Sequence, residues 1–163
     1  MTQNLPTEPT PFVHPDGRHR LVVGVHLILQ RNDRVLLGLR QGTGWRDGHY
    51  HVPAGHLESG ETATAGAVRE AAEELGLALR EADLELVHTV HHHSGSVDDP
   101  RIQLFFRVRH WQGEPVNREP ELCADLSWFP LDQLPEPMVD YTAVALARFR
   151  RGLTYSNVGW PAS

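Results

Sequence analysis

The chain has 163 residues, enough for one domain with its own core, and 40% hydrophobic with 22% charged residues is ordinary globular composition. A formal charge of −6 argues against a general nucleic-acid binder, although a bound cation can still reverse the local field for an anionic nucleotide. A single cysteine, Cys123, rules out an internal disulfide; with no apolar run near about 18 residues and no secretory leader in MTQNLPTEPT, the expectation is a soluble, cytoplasmic protein without membrane contact.

In chain order, Pro6, Pro9, Pro11 and Pro15 among polar neighbours predict a mobile or loosely docked arm over residues 1–17, with a single domain over 18–163. LVVGVHLIL (21–29) is continuous and β-branched, as a strand buried on both faces would be, and VLLGLR (35–40) returns as its hairpin partner. QGTGWRDGHYHVPAGH (41–56) reads as a long loop with a short strand around His51. A helix follows, and then LELVHTV (84–90) and IQLFFRVRHW (102–111) read as strands joined by the turn-rich SGSVDDP. LSWFPL reads as a short final strand. Met138, Tyr141, Ala145 and Phe149 recur at helical spacing, Arg148, Arg150 and Arg151 crowd the last turn, and Gly152 stops it. The pattern predicts a mixed α/β domain.

The first helix carries the unusual feature. Ser59 is the expected cap, Glu61 lies in the expected first turn, and Gly76 is the expected stop. At 100° per residue Val68, Ala71, Ala72 and Leu75 cover one arc, with Glu70, Glu73 and Glu74 almost opposite. Glu70 and Glu74 are like charges one turn apart, which weakens an isolated helix by about 0.2–0.5 kcal/mol. On an arbitrary helix such a cluster is more often a solvated acidic face, and the alternative is a task that wants the carboxylates together.

The spacing of the whole stretch, Gly55, five residues, Glu61, seven residues, then REAAEELGL, resembles the Nudix box GX5EX7REUXEEXGU at every fixed position. Ala71 is small where a bulkier aliphatic residue is common. VLLGLRQGTGWRDGHYHVPAGHLESGE also resembles the family's approach to the box, and NREPELCADLSWFPLDQLP is similar to the segment that follows it in nucleotide-hydrolysing members. The resemblance implies a Nudix-type α/β/α sandwich on a mixed sheet, with the box as loop–helix–loop. It implies hydrolysis of a diphosphate bond in a nucleoside diphosphate linked to X, and Mg²⁺, or Mn²⁺ in its place, as cofactor. A nucleoside triphosphate, standard or oxidised, is the first choice of substrate, and ADP-ribose or a nucleotide sugar is the alternative. A nucleotide-sensing module without catalysis belongs to another class and usually has a broken box. Family members are often dimers, so a homodimer stays open, though no stripe marks an interface.

By the same resemblance Glu70, Glu73 and Glu74, with the carbonyl of Gly55, hold the metal, and Glu70 is the first candidate for general base. Arg69 and Glu61 look like the pair that braces loop and helix. Arg40 ends a strand facing the family's cleft, as a phosphate contact or a plain surface charge. Glu121 stands where several members supply an extra ligand or base. Trp45 and Tyr50 are candidates to stack a base or to cover core. Glu58 reads as helix-entry polarity. His91, His92 and His93 cannot all meet one ion from a strand, so a solvated strand end is expected there. Cys123 reads as a small packed residue, and its place after the box argues against the isomerase branch. The terminal YSNVGW resembles a tail of one bacterial branch and has no assigned role.

Overall fold

The computed structural model describes residues 16–94 and 100–160. Except for Asp16 and Gly17, the predicted arm lies outside them, as do residues 95–99 of the predicted SGSVDDP turn. The elements are β1 (Val22–Arg31), β2 (Arg34–Arg40), β3 (Tyr50–His51), β4 (Ala54–His56), α1 (Ala63–Leu75), β5 (Leu84–His93), β6 (Pro100–Val108), β7 (Cys123–Pro130), α2 (Asp140–Arg150) and β8 (Tyr155–Val158). The main sheet runs β3-β2-β1-β6-β5-β8, with β4 added to β1 and β7 to β2. It is mixed, because β1 with β6 and β5 with β8 are parallel pairs while the others are antiparallel.

Strand β1 divides the molecule. Residues 24–29 are buried throughout, as its continuous apolar run requires. Val25, Leu27 and Leu29 point into a core completed by Ala67, Ala71 and Leu75 of α1. Ile28 points the other way, toward Phe105, Val139, Tyr141, Ala145 and Leu146 at the start of and along α2. Alternation along one strand therefore supplies both cores of an α/β/α sandwich.

The same strand opens the cleft. Beyond the hairpin β1 pairs with β2 only at Gln30 and Arg31, whereas Gly24, Val25 and His26 pair with β4 instead. The two halves of the sheet splay there, and a cavity of about 500 Å³ lies between them.

Several local expectations are corrected. Thr62, not Ser59, caps α1, its hydroxyl accepting the Ala65 N–H at 3.1 Å, so Glu61 stands just outside the helix rather than in its first turn. Gly76 does end it, in the left-handed region at φ 67°. Met138 precedes α2 and bridges to Tyr50. LSWFPL is the end of β7 and not the final strand: Tyr155–Val158 adds β8 to the edge of β5. Four residues with one buried side chain, Ser156, carry too little periodicity to announce a strand; its partner strand defines it. Among the described residues no helix is long and apolar enough to cross a membrane.

Candidate active site

The face of α1 differs from the one that helical geometry predicts. Ala72 is exposed, and Glu70 is buried with Ala67 and Ala71. The acids are not one solvated stripe: Glu73 points outward, while Glu70 and Glu74 turn toward β4. Gly55 makes this possible, since a Cβ there would stand 1.8 Å from Glu70 Oε1. Glu74 Oε2 accepts the Ala54 N–H at 3.1 Å.

Arg69 organises the group. Its Nε and Nη2 form a fork on the Glu61 carboxylate at 3.1 and 2.7 Å, and Nη2 also donates to the His56 carbonyl at 3.0 Å. Its Nη1 donates to Glu70 Oε1 at 2.7 Å and to Glu73 Oε2 at 3.1 Å. Glu61 in turn accepts the Glu58 N–H at 2.7 Å, tying the loop to the helix. The Glu61–Arg69 pair was legible from spacing, but the direct Arg69–Glu70 bond between sequence neighbours was not.

The electrostatics follow from this packing. The Arg69 fork holds the Glu61 carboxyl below its usual range. Glu70 is raised, first by burial and against the pull of Arg69. Glu74 is pushed up to about 8, first by burial and then by the charges of Glu70 and Glu119. Burial and neighbouring carboxylates thus shift both acids toward their neutral forms.

Their chemistry fits the divalent metal that the resemblance implies. Hard oxygen donors, crowded acids and a glycine backbone against Glu70 suit an ion such as Mg²⁺. Among the described residues no three His, Cys, Asp or Glu side chains converge on one point as they lie, because Arg69 draws Glu70 and Glu73 to itself.

Glu74, Gly55 and Arg40 all line the cavity. Arg40 donates to the Trp45 carbonyl and to the Thr43 hydroxyl, both at 3.0 Å, and its guanidinium sits 5.0 Å from the centre of the Trp45 ring. Its Nη1 has no hydrogen-bond partner among the described residues. Trp45, 38% exposed, stands at the mouth and stacks loosely toward Tyr141 at 6.2 Å. Tyr50 does not reach the cavity; it packs edge-on against Phe129.

Glu121 is exposed and does not line the cavity, contrary to its candidacy as a ligand. Glu119, two residues earlier, lines it and is felt by both Glu70 and Glu74. The turn at Pro120 and Glu121, closed by the Leu122 and Cys123 N–H groups on the Glu119 carbonyl, decides which acid faces in. Cys123 also borders the cavity, but burial raises its thiol and Sγ donates to the Asp125 carbonyl at 3.0 Å, which suits a packed residue.

The opposite end is made of histidines, and the sequence proposed no role for His26 or His51 among them. His26 and His51 are buried, with rings 5.2 Å apart. His26 Nε2 bonds Gln103 Oε1 at 2.8 Å and its ring stacks on Phe105 at 4.4 Å. His51 Nδ1 bonds Thr142 Oγ1 at 2.6 Å. Burial lowers His26 to about 4 and His51 well below its usual value, so both are neutral imidazoles. His92 is buried beside Tyr141, at 4.6 Å between rings, and His91 and His93 lie under Trp160. That corrects the expected solvated strand end: the YSNVGW tail covers it, with Trp160 Nε1 donating to the His91 carbonyl at 2.9 Å.

Comparison with known proteins now adds to this geometry. A NUDIX domain model matches residues 18–149. This chain belongs to the Nudix hydrolase family. That family's chemistry is the hydrolysis of phosphorus anhydrides. The chain is 34% identical over 119 residues to an NAD-capped RNA hydrolase, NudC, of Pseudomonas aeruginosa, a match covering 71% of this chain and 38% of that protein. Among solved structures it is similar to a MutT NUDIX hydrolase from Burkholderia pseudomallei, with TM-score 0.72 and 29% identity over 79% of this chain and 98% of the other. A bifunctional NMN adenylyltransferase/ADP ribose pyrophosphatase from Francisella tularensis shares the fold, with TM-score 0.62 and 18% identity over 82% of this chain and 42% of that one.

Proposed function

We propose that the protein is a divalent-metal-dependent pyrophosphohydrolase of a small nucleotide. Its preferred substrate is a nucleoside triphosphate, standard or oxidised, cleaved to monophosphate and pyrophosphate. The observation that carries this is the pair of crowded carboxylates, buried Glu70 and half-buried Glu74, beside a cavity that also presents the guanidinium of Arg40. In this reading Glu70, Glu73, Glu74 and the Gly55 carbonyl hold Mg²⁺, with Mn²⁺ as a substitute. The bound cation supplies neutralisation of charge on the diphosphate oxygens.

The chain's own groups do the rest. Glu70, raised by burial, is the first candidate to take a proton from the attacking water. Arg69, fixed by Glu61 and the His56 carbonyl, orients that carboxylate rather than touching substrate. Arg40 keeps Nη1 for a phosphate oxygen, and Trp45 offers a face beside it. Glu119 takes the place first given to Glu121 as the further acid of the site. The likeness to NudC favours the alternative, in which X is a larger group such as that of ADP-ribose or a nucleotide sugar.

A nucleotide panel, assayed for pyrophosphate from triphosphates and for phosphomonoesters from ADP-ribose and nucleotide sugars, with Mg²⁺, with Ca²⁺ and in EDTA, tests all of this. The expected result is pyrophosphate from triphosphates in Mg²⁺, little in Ca²⁺, whose looser coordination positions water poorly, and none in EDTA. Faster cleavage of ADP-ribose or a nucleotide sugar selects the alternative, and binding without any turnover selects a sensor. Undiminished hydrolysis in EDTA rejects the mechanism.

A further inference from the structure

The histidine end of the cavity contains a built hydrogen-bonding unit that the hydrolysis of a diphosphate does not use. Gly24 and Gln103 face each other across the parallel β1–β6 pair, and His26 follows Gly24 on the same face of β1. A Cβ on Gly24 would stand 2.0 Å from Gln103 Oε1 and 3.0 Å from His26 Nε2. The glycine thus makes the room in which the Gln103 side chain lies against His26. All three line the cavity.

The bonding pattern fixes what this unit offers. His26 is neutral, so only one ring nitrogen carries a proton. Its Nδ1 is buried without a partner, and a buried unpaired lone pair is tolerated better than a buried unpaired N–H. The proton therefore sits on Nε2, which donates to Gln103 Oε1 at 2.8 Å. That bond uses the amide oxygen and leaves the amide nitrogen of Gln103 without a hydrogen-bond partner among the described residues. At the cavity wall Gln103 therefore has an amide N–H to donate.

The surroundings suit a flat, uncharged ligand group. Tyr141 and Trp45 supply aromatic walls, and His51 and His26 are neutral. Arg40 stands between the two ends: its field reaches Glu74 on one side and His26 and His51 on the other. A phosphate chain crossing Arg40 from the acids would deliver the rest of the nucleotide to this chamber.

We propose that Gln103 reads the nucleobase: its amide nitrogen donates to a ring nitrogen or carbonyl oxygen of the base, and His26 is the positioning residue that turns the amide. This rests on the nucleotide-hydrolase reading above and names the part of the substrate that the chamber takes.

Two measurements test it. In wild-type protein, the side-chain amide resonances of Gln103 should shift on titration with nucleoside monophosphates and stay in place with ribose 5-phosphate. Equal shifts with both, or none with either, overturn the proposal. In kinetics, the ratio of kcat/KM for nucleoside triphosphates to that for inorganic triphosphate should fall at least tenfold in Gln103→Leu, mainly through KM. His26→Phe, which keeps the stack on Phe105 but loses the donor, should fall in the same direction, and His26→Asn should recover part of the loss. Variants that lower both substrates in proportion make the pair structural and reject the assignment. If wild type cleaves neither these substrates nor ADP-ribose or a nucleotide sugar while its Gln103 resonances still respond to the base, the hydrolase reading fails and the base subsite stands.

Discussion

At one end of the cavity Glu70 and Glu74 are acids shifted upward, first by burial and then by neighbouring carboxylates; at the other, His26 and His51 are bases shifted downward, mainly by burial. Desolvation penalises the charged form in both cases, and so drives carboxyls and imidazoles in opposite directions toward the same neutral state. The difference lies in what can reverse it. A cation between Glu70 and Glu74 restores their charge, whereas His26 is committed by its bond to Gln103 and its stack on Phe105. On the proposed reading one end would respond to an ion and the other would stay fixed.

The sharpest way to break this contrast is to neutralise the responsive end. Glu74→Gln should lower turnover by about 10²- to 10⁴-fold while the amide oxygen keeps the Ala54 N–H bond. In EDTA at pH 8 the same variant should be more stable than wild type, on the order of 1 kcal/mol, and should gain less from added Mg²⁺. Thermal unfolding in both conditions reads this. A variant less stable in EDTA, with its Mg²⁺ shift intact, would make Glu74 a structural partner and dissolve the contrast.

Arg69→Ala should cost about 10- to 100-fold in turnover, because Glu70 loses its orientation, and about 2 kcal/mol in stability from the lost charged hydrogen bonds. Metal affinity, measured by calorimetry, should stay within a few-fold. A loss falling chiefly on metal binding would move Arg69 from bracing to holding the ion's ligands.

The pH dependence should separate the ends by sign. His26 is depressed to about 4 from its usual 6.5, so the unfolded chain binds the extra proton and its contribution to stability is lost as pH falls from about 6.5 to 4. Glu74 is raised to about 8, so the folded protein binds the extra proton and that contribution is lost as pH rises from about 4.5 through 8. Denaturant unfolding of metal-free protein across this range should show His26→Phe flattening the acid limb and Glu74→Gln the alkaline one. Slopes of the same sign in both variants would contradict the assignments.

The smallest expected effect probes the fixed end alone. Thr142→Val removes the partner of His51 Nδ1 and should destabilise by about 1–3 kcal/mol, with little change in the Mg²⁺ dependence of activity. An altered Mg²⁺ requirement would mean that the two ends are coupled.

These regions also differ in how far they could be read in advance. Glu61, Arg69, Glu70, Glu73 and Glu74 lie within one loop and one helix, where regular geometry fixes neighbours, and the box spacing marked them together. Even there, helical angles put Ala72 inside and Glu70 outside, and the structure reverses both, because the glycine backbone of β4 admits a carboxylate that local geometry assigns to water. Glu119 was not singled out beside Glu121, because a turn has no period from which to tell which acid faces in. The histidine end was not legible at all: His26, His51, Gln103 and Tyr141 come from β1, β3, β6 and α2. No spacing along the chain relates them.

The sequence alone therefore determined the elements with strong periodicity, the sandwich that the box implies and the acids that share one helix, since each rests on contacts within a few residues. Tertiary structure decided which of those acids are buried, where β8 adds to the sheet edge, how β1 leaves β2 to open the cavity, and which uncharged groups meet at its far end. Such outcomes depend on strand register and on packing between segments distant along the chain. A single side chain's burial there is set by its neighbours across the sheet rather than by its own neighbourhood in sequence.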